Sequence, residues 1–150
     1  MENPVDTDAR RGFELGLSAE LLTLAVVEGE WLDPAEKLKV YKESAMLLSD
    51  ICTLTSQFNK TDRLFSEELR SLGLKLMSLI YVANHQRRES VAQMRQALEV
   101  LTYQRMLCRI CVHQRVMSKK HYAQIAPRYD TIGRMLSGWI RVTEKEQKDK

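Results

Sequence analysis

The chain has 150 residues, with 23 Lys or Arg against 20 Asp or Glu, a net charge of +3 and 44% hydrophobic residues. That length and apolar content suit one domain with its own core and exclude general disorder. Six Gly and three Pro leave too little turn punctuation for a many-stranded β protein. No apolar run reaches the roughly 18 residues of a spanning helix, so no membrane association is expected.

The charge is unevenly distributed. Residues 1–33 hold eight acids and two bases, a net of −6, whereas residues 34–150 hold 12 acids and 21 bases, a net of +9. Between Arg63 and Arg141 there are 14 bases against five acids. A basic body behind an acidic leader suggests an anionic partner, nucleic acid first in line. A well-solvated helical surface is the plain alternative. The N-terminus lacks a basic-then-apolar signal pattern, which points to the cytoplasm.

In chain order, the leader 1–33 comes first. Leu15, Leu17, Leu21, Leu22, Leu24, Val26 and Val27 can make a short helix, limited by Gly12, Gly16 and Gly29. It is expected to cover an apolar patch, dock on a partner or shield the basic body, and its sequence does not choose among these. Asp33-Pro34-Ala35-Glu36 is a helix start, with a capping Asp, a Pro of suitable φ and a Glu that reaches back. The bundle domain is therefore placed at residues 34–146.

The first helix repeats Leu38, Tyr41, Ala45, Leu48, Ile51 and Cys52, and should stop near Phe58. The second runs from about Asp62 to Gln86 on Phe65, Leu69, Leu72, Leu76, Leu79, Ile80 and Ala83. Leu64, Leu74, Met77 and Tyr81 make it apolar on more than one face, which suggests a subunit interface. The third spans about Glu89 to Val116 on Val91, Met94, Leu98, Leu101, Cys108 and Val112. Ser118 can cap the fourth, which reaches about Lys145 with Tyr122, Ile125, Tyr129, Ile132, Leu136, Trp139 and Thr143 in steps of three and four. Pro127 should kink this helix or mark a late start. Gly133 beside this seam either permits close helix approach or is simply a tolerated interior glycine. The tail from Glu144 should fray, with residues 147–150 outside the domain. Short connections make neighbouring helices antiparallel, so the expected fold is an all-α, up-down-up-down four-helix bundle.

Catalytic chemistry is not evident. Cys108 and Cys111 form a lone CxxC without a second ligand pair, and with Cys52 they read as buried, reduced thiols. His85, His113 and His121 belong to no metal-spaced set. No Glu precedes a His by three positions, as bundle di-metal sites require. No phosphate loop or nucleophile elbow is present. No enzyme activity, cofactor or metal is expected.

The arginines are the informative feature. Arg88, Arg95 and Arg109 are separated by seven and fourteen residues and share one helix face, with Arg105 one turn before Arg109. Arg87 extends the cluster. Arg115, Lys119 and Lys120 add charge at the following turn, and Arg134, Arg141, Lys145 and Lys148 line the fourth helix. The third helix offers only Glu89 and Glu99 as local acids. Parallel arginines bind phosphates and release counterions. No base-reading motif is present, so backbone and shape contacts should dominate.

The segment Ile132-Gly133-Arg134-Met135-Leu136-Ser137-Gly138-Trp139-Ile140-Arg141, with the preceding Met117-Ser118 turn, resembles the end of the accessory variability determinant (Avd) proteins of diversity-generating retroelements. The resemblance continues more weakly through residues 35–145. The wider superfamily includes proteins encoded in intervening sequences of bacterial rRNA genes. Those carry a Ser-Ile-Pro, Asn-Ile, Glu-Gly pattern at the end of helix two, where this chain reads Ser78-Leu79-Ile80-Tyr81-Val82-Ala83-Asn84-His85-Gln86. That departure favours the Avd branch.

The resemblance implies a basic, barrel-like homopentamer of four-helix bundles. It also implies binding to a reverse transcriptase and to RNA or DNA in mutagenic cDNA synthesis, without polymerase activity. On this reading Arg87, Arg88, Arg95, Arg105, Arg109, Arg115, Lys119, Lys120, Arg134 and Arg141 contact nucleic acid. A protein of the rRNA-intervening-sequence type, binding RNA without a retroelement role, is the second expectation. A bundle enzyme or cofactor carrier is the third.

Overall fold

The computed structural model describes residues 38–85 and 90–149. The acidic leader, the start signal at residues 33–36, and Arg87, Arg88 and Glu89 lie outside the described residues. Among the described residues four α-helices follow one another: α1 (Lys39–Thr55), α2 (Arg63–His85), α3 (Val91–His113) and α4 (Lys119–Lys148). A 3-10 turn at Lys60–Asp62 leads into α2, and no strand occurs among the described residues.

Side-chain contacts fix the helix directions. Tyr41 at the start of α1 meets Tyr81 near the end of α2, with ring centroids 6.5 Å apart. Arg70, early in α2, donates through Nε to Thr55 Oγ1 at 2.9 Å and through Nη2 to the Cys52 carbonyl at 3.3 Å. It thereby places a cation at the negative end of α1. Arg95, early in α3, pairs with Glu144, late in α4. α1 packs on α2 and α4, and α3 packs on α2 and α4, which closes the ring of an up-down-up-down bundle.

The helix ends follow from local chemistry. Ser90 accepts the Gln93 N–H at 3.4 Å, and Ser118 accepts the His121 N–H at 3.0 Å, as N-caps of α3 and α4. At the end of α3, Val116 N–H bonds to the Cys111 carbonyl and Arg115 N–H to the Val112 carbonyl. Arg115 has φ 61°, so this is a Schellman turn with arginine in the left-handed position usually given to glycine. α1 ends at Thr55, short of Phe58. α4 is continuous from Lys119, so Pro127 marks no late start. The missing N–H of Pro127 falls on the exposed side of the helix, where water can take the freed carbonyl. α4 ends at Lys148.

Among the described residues the core is a large apolar cluster contributed by all four helices and a smaller one formed by Ala83, Met94 and Ile140. The larger cluster includes Tyr41, Leu48, Ile51, Leu69, Leu76, Ile80, Ala97, Leu101, Ile125, Ile132 and Leu136. The expected stripes supply most of it, but Ile140 rather than Trp139 takes the last buried place before Thr143 on α4. Part of the wide apolar surface of α2 is used within one copy of the chain, while Leu64 on the same helix is 76% exposed. Met77 is buried, and Leu74, Leu79 and Tyr81 pack against the core. α2 lies between α1 and α3 and needs two apolar faces to do so.

A polar network crosses this core. The Tyr129 hydroxyl donates to Gln104 Oε1 at 2.9 Å, and Gln104 Nε2 donates to the Leu69 carbonyl at 2.8 Å. Cys108 Sγ lies 3.5 Å from the Tyr129 hydroxyl. Satisfied buried groups of this kind link α2, α3 and α4 at defined positions, each bond contributing about 1 kcal/mol. Gly73 makes room for them. A Cβ there would sit 2.7 Å from Leu48 Cδ1 and 3.4 Å from Gln104 Nε2.

Candidate functional site

An open groove of about 610 Å³ lies between α3 and α4. Leu98 and Leu101 supply its apolar floor, and Gly133, Ser137 and Gly138 form one wall on α4. A Cβ at Gly138 would meet nothing within 4 Å, and one at Gly133 only Leu101 Cδ2 at 3.8 Å. The glycines therefore keep the groove open instead of allowing close helix contact. Arg105, Arg134 and Arg141 line it together with Asp130.

The three arginines differ in their bonding. Arg105 Nη1 donates to Asp130 Oδ1 at 2.7 Å and its Nε to the Tyr122 hydroxyl at 3.2 Å, while its guanidinium lies 6.0 Å from the Tyr129 ring centroid. The Tyr122 hydrogen bond, then that of Asp130, hold its proton more firmly than in a free arginine. Arg134 and Arg141 are exposed and make no ion pair among the described residues. They stand seven positions apart on one face of α4, about 10 Å along its axis.

A second group of bases sits at the α3–α4 turn. Arg109, Arg115, Lys119 and Lys120 are all exposed. The first turn of α4 carries no acid, so Lys119 and Lys120 add to the positive end of the helix dipole. Arg115 holds its left-handed backbone at a cost of roughly 1 kcal/mol relative to glycine. Both features raise the positive potential at this turn at the expense of stability.

The sequence-expected residues thus divide. Arg105, Arg134 and Arg141 come together in the groove, and Arg109, Arg115, Lys119 and Lys120 gather at the turn. Arg95 is engaged with Glu144 at the opposite end of α3. Arg87 and Arg88 lie outside the described residues. The expected shortage of acids near α3 is corrected here, because Asp130 and Glu144 reach across from α4 to Arg105 and Arg95.

Arg128 and Asp130 were missed by the sequence reading. Arg128 donates to Glu43 Oε2 at 2.9 Å and to Asp50 Oδ2 at 3.1 Å, and so clamps α4 to α1. The signal was available in Glu43 and Asp50, which lie seven residues apart and share a face.

The thiols are poor nucleophiles. Burial pushes both Cys108 and Cys111 up to about 11 and raises Cys52, so all three remain protonated at neutral pH. All three are free of disulfides. Among the described residues, no group of three or more His, Cys, Asp or Glu is placed to hold a metal. No described helix is long and apolar enough to cross a membrane.

Comparison with models of known protein families, with curated proteins and with solved structures returned no match to this chain.

Proposed function

We propose that this chain is a non-enzymatic accessory subunit that holds RNA or cDNA on its α3–α4 face beside a reverse transcriptase, in the manner of the Avd proteins its last helix resembles. The observation that carries the nucleic-acid part is the convergence of Arg105, Arg134 and Arg141 on one open groove, with Arg134 and Arg141 unpaired there. A phosphodiester backbone suits such a groove. Its phosphates take bidentate guanidinium contacts, and its sugars can lie over Leu98 and Leu101. The basic turn at Arg115, Lys119 and Lys120 extends the track.

The polymerase and the retroelement role rest on the resemblance. Self-association into a pentamer belongs to the same reading, as does a cytoplasmic location. Exposed apolar side chains that would serve self-association include Leu64 on α2, 76% exposed, and Tyr103, Met106 and Ile110 on α3, which are 44%, 48% and 40% exposed at helical spacing.

Two measurements test the proposal. Binding of a single-stranded RNA to the full chain should weaken about 100-fold in R134E/R141E at moderate salt; unchanged binding overturns the surface. Co-expression with a reverse transcriptase encoded beside it should yield a stable complex that survives purification. Failure to associate overturns the retroelement role while leaving nucleic-acid binding intact.

A further inference from the structure

The groove that gathers Arg105, Arg134 and Arg141 also holds a carboxylate. Asp130 is the one acid among its lining residues, and its side chain is 56% exposed. Arg105 engages Oδ1 at 2.7 Å, while Oδ2 accepts no hydrogen bond among the described residues. Asp130, Arg134, Ser137 and Arg141 follow one another in steps of four, three and four, and so form one line along α4. Asp130 precedes Arg134 by about 6 Å along the helix axis. On the α3 side of the groove, Thr102 Oγ1 donates to the Leu98 carbonyl at 2.8 Å. Its hydrogen is spent within α3, so towards a ligand the Thr102 hydroxyl can only accept.

These two acceptors do not suit a bare phosphodiester. A phosphate has no hydrogen to donate, and a carboxylate beside it repels it. The backbone of DNA is built from phosphates, ether oxygens and carbon-bound hydrogens, and offers no donor. The backbone of RNA offers one donor per nucleotide, the 2′-hydroxyl, set close to the phosphates. The line on α4 divides accordingly. Arg134 and Arg141 serve phosphates, with the Ser137 hydroxyl between them as a further donor. Asp130, one turn away, serves a donor on the sugar. Arg105 fixes the carboxylate in place and is itself anchored by the Tyr122 hydroxyl.

We propose that the α3–α4 groove selects RNA over DNA, with Asp130 Oδ2 and Thr102 Oγ1 accepting hydrogen bonds from ribose 2′-hydroxyls while Arg134 and Arg141 hold the phosphates. The inference rests on the function proposed above and names which of the two nucleic acids the groove holds.

The test measures binding of the full chain to three labelled single strands of equal length at one moderate salt concentration. These are oligouridylate, oligodeoxyuridylate and 2′-O-methyl oligouridylate. They share base and charge, and the methylated strand keeps the 2′ oxygen without a hydrogen to donate. The native chain should bind the RNA strand about ten-fold more tightly than either of the others, the worth of one hydrogen bond to a charged acceptor. In D130A that ratio should fall below about three-fold, and in D130A/T102V to about one. Both side chains are exposed, so the variants keep their fold. Binding of the DNA strand should tighten in D130A, because a repelling charge is lost and Arg105 is released.

A ratio unchanged in D130A, with all strands weakened or strengthened together, means that Asp130 only positions Arg105 and overturns the selection. Equal binding of the RNA and 2′-O-methyl strands overturns the hydroxyl as the group that is read. Equal binding of all three strands by the native chain overturns the selection and leaves nucleic-acid binding intact. A chain that binds none of them overturns the function proposed above and this inference with it.

Discussion

The two flanks of α4 use arginine in opposite ways. Towards α1, Arg128 is only 25% exposed and is held by two carboxylates, Glu43 and Asp50. Towards α3, Arg134 and Arg141 face an open groove and meet no carboxylate among the described residues. The same residue type on the same helix is a clamp on one side and an available cation on the other. What differs is the neighbouring helix. α1 presents acids seven residues apart, whereas α3 presents leucine, threonine and a further arginine. The number of arginines therefore says less about binding than where the acids of the adjacent helix fall.

The largest contrast is expected between glycines. Gly73→Val drives a side chain into Leu48 and Gln104 and should cost about 2–3 kcal/mol in denaturant unfolding. Gly138→Ala meets open space and should stabilise α4 by up to about 1 kcal/mol, while narrowing the groove. Equal effects would show that the groove side is packed as tightly as the interior.

The two arginine environments come next. Arg128→Ala leaves Glu43 and Asp50 facing each other without a cation, a loss of about 1–3 kcal/mol. Arg134→Ala should change stability by less than about 0.5 kcal/mol. If the two cost the same, the distinction between clamp and available cation fails.

Arg115→Gly relaxes a left-handed residue and should stabilise the fold by about 1 kcal/mol while weakening RNA binding several-fold. A gain in stability with unchanged binding would separate the turn from the groove.

A pH titration sharpens the interior side. Cys108 and Cys111 in the folded chain ionise near pH 11 because burial disfavours the thiolate, whereas an exposed thiol ionises near 9. The folded state keeps protons that the unfolded state releases. Stability is thus full below about pH 9 and falls as pH rises towards 11. C108A/C111A should flatten that fall; an unchanged pH profile would show that the thiols are accessible.

Much of this architecture was legible in the sequence. The four periodic stripes, the Ser118 cap and the charge split are local properties that survive folding. The parts that were not legible depend on which side chains meet across helices. Glu144 and Asp130 looked distant from the α3 arginines because they lie 49 and 25 residues away in sequence, yet both are bonded to them. Gln104 drew no notice in the sequence and is the centre of the buried network, bonded to groups 35 and 25 residues away. The apolar residues of α2 that suggested another subunit divide, with Leu74, Leu79 and Tyr81 packing within the chain and Leu64 staying exposed. Gly133 suggested close packing, and with Gly138 it opens a groove.

The most direct test of the central claim is the salt dependence of single-stranded RNA binding, compared between the native chain and R134E/R141E. The account predicts weaker binding by the variant and a log–log salt slope shallower by about two, one for each lost phosphate contact. Identical affinities and slopes would contradict it and move the anionic partner, if there is one, away from the α3–α4 groove.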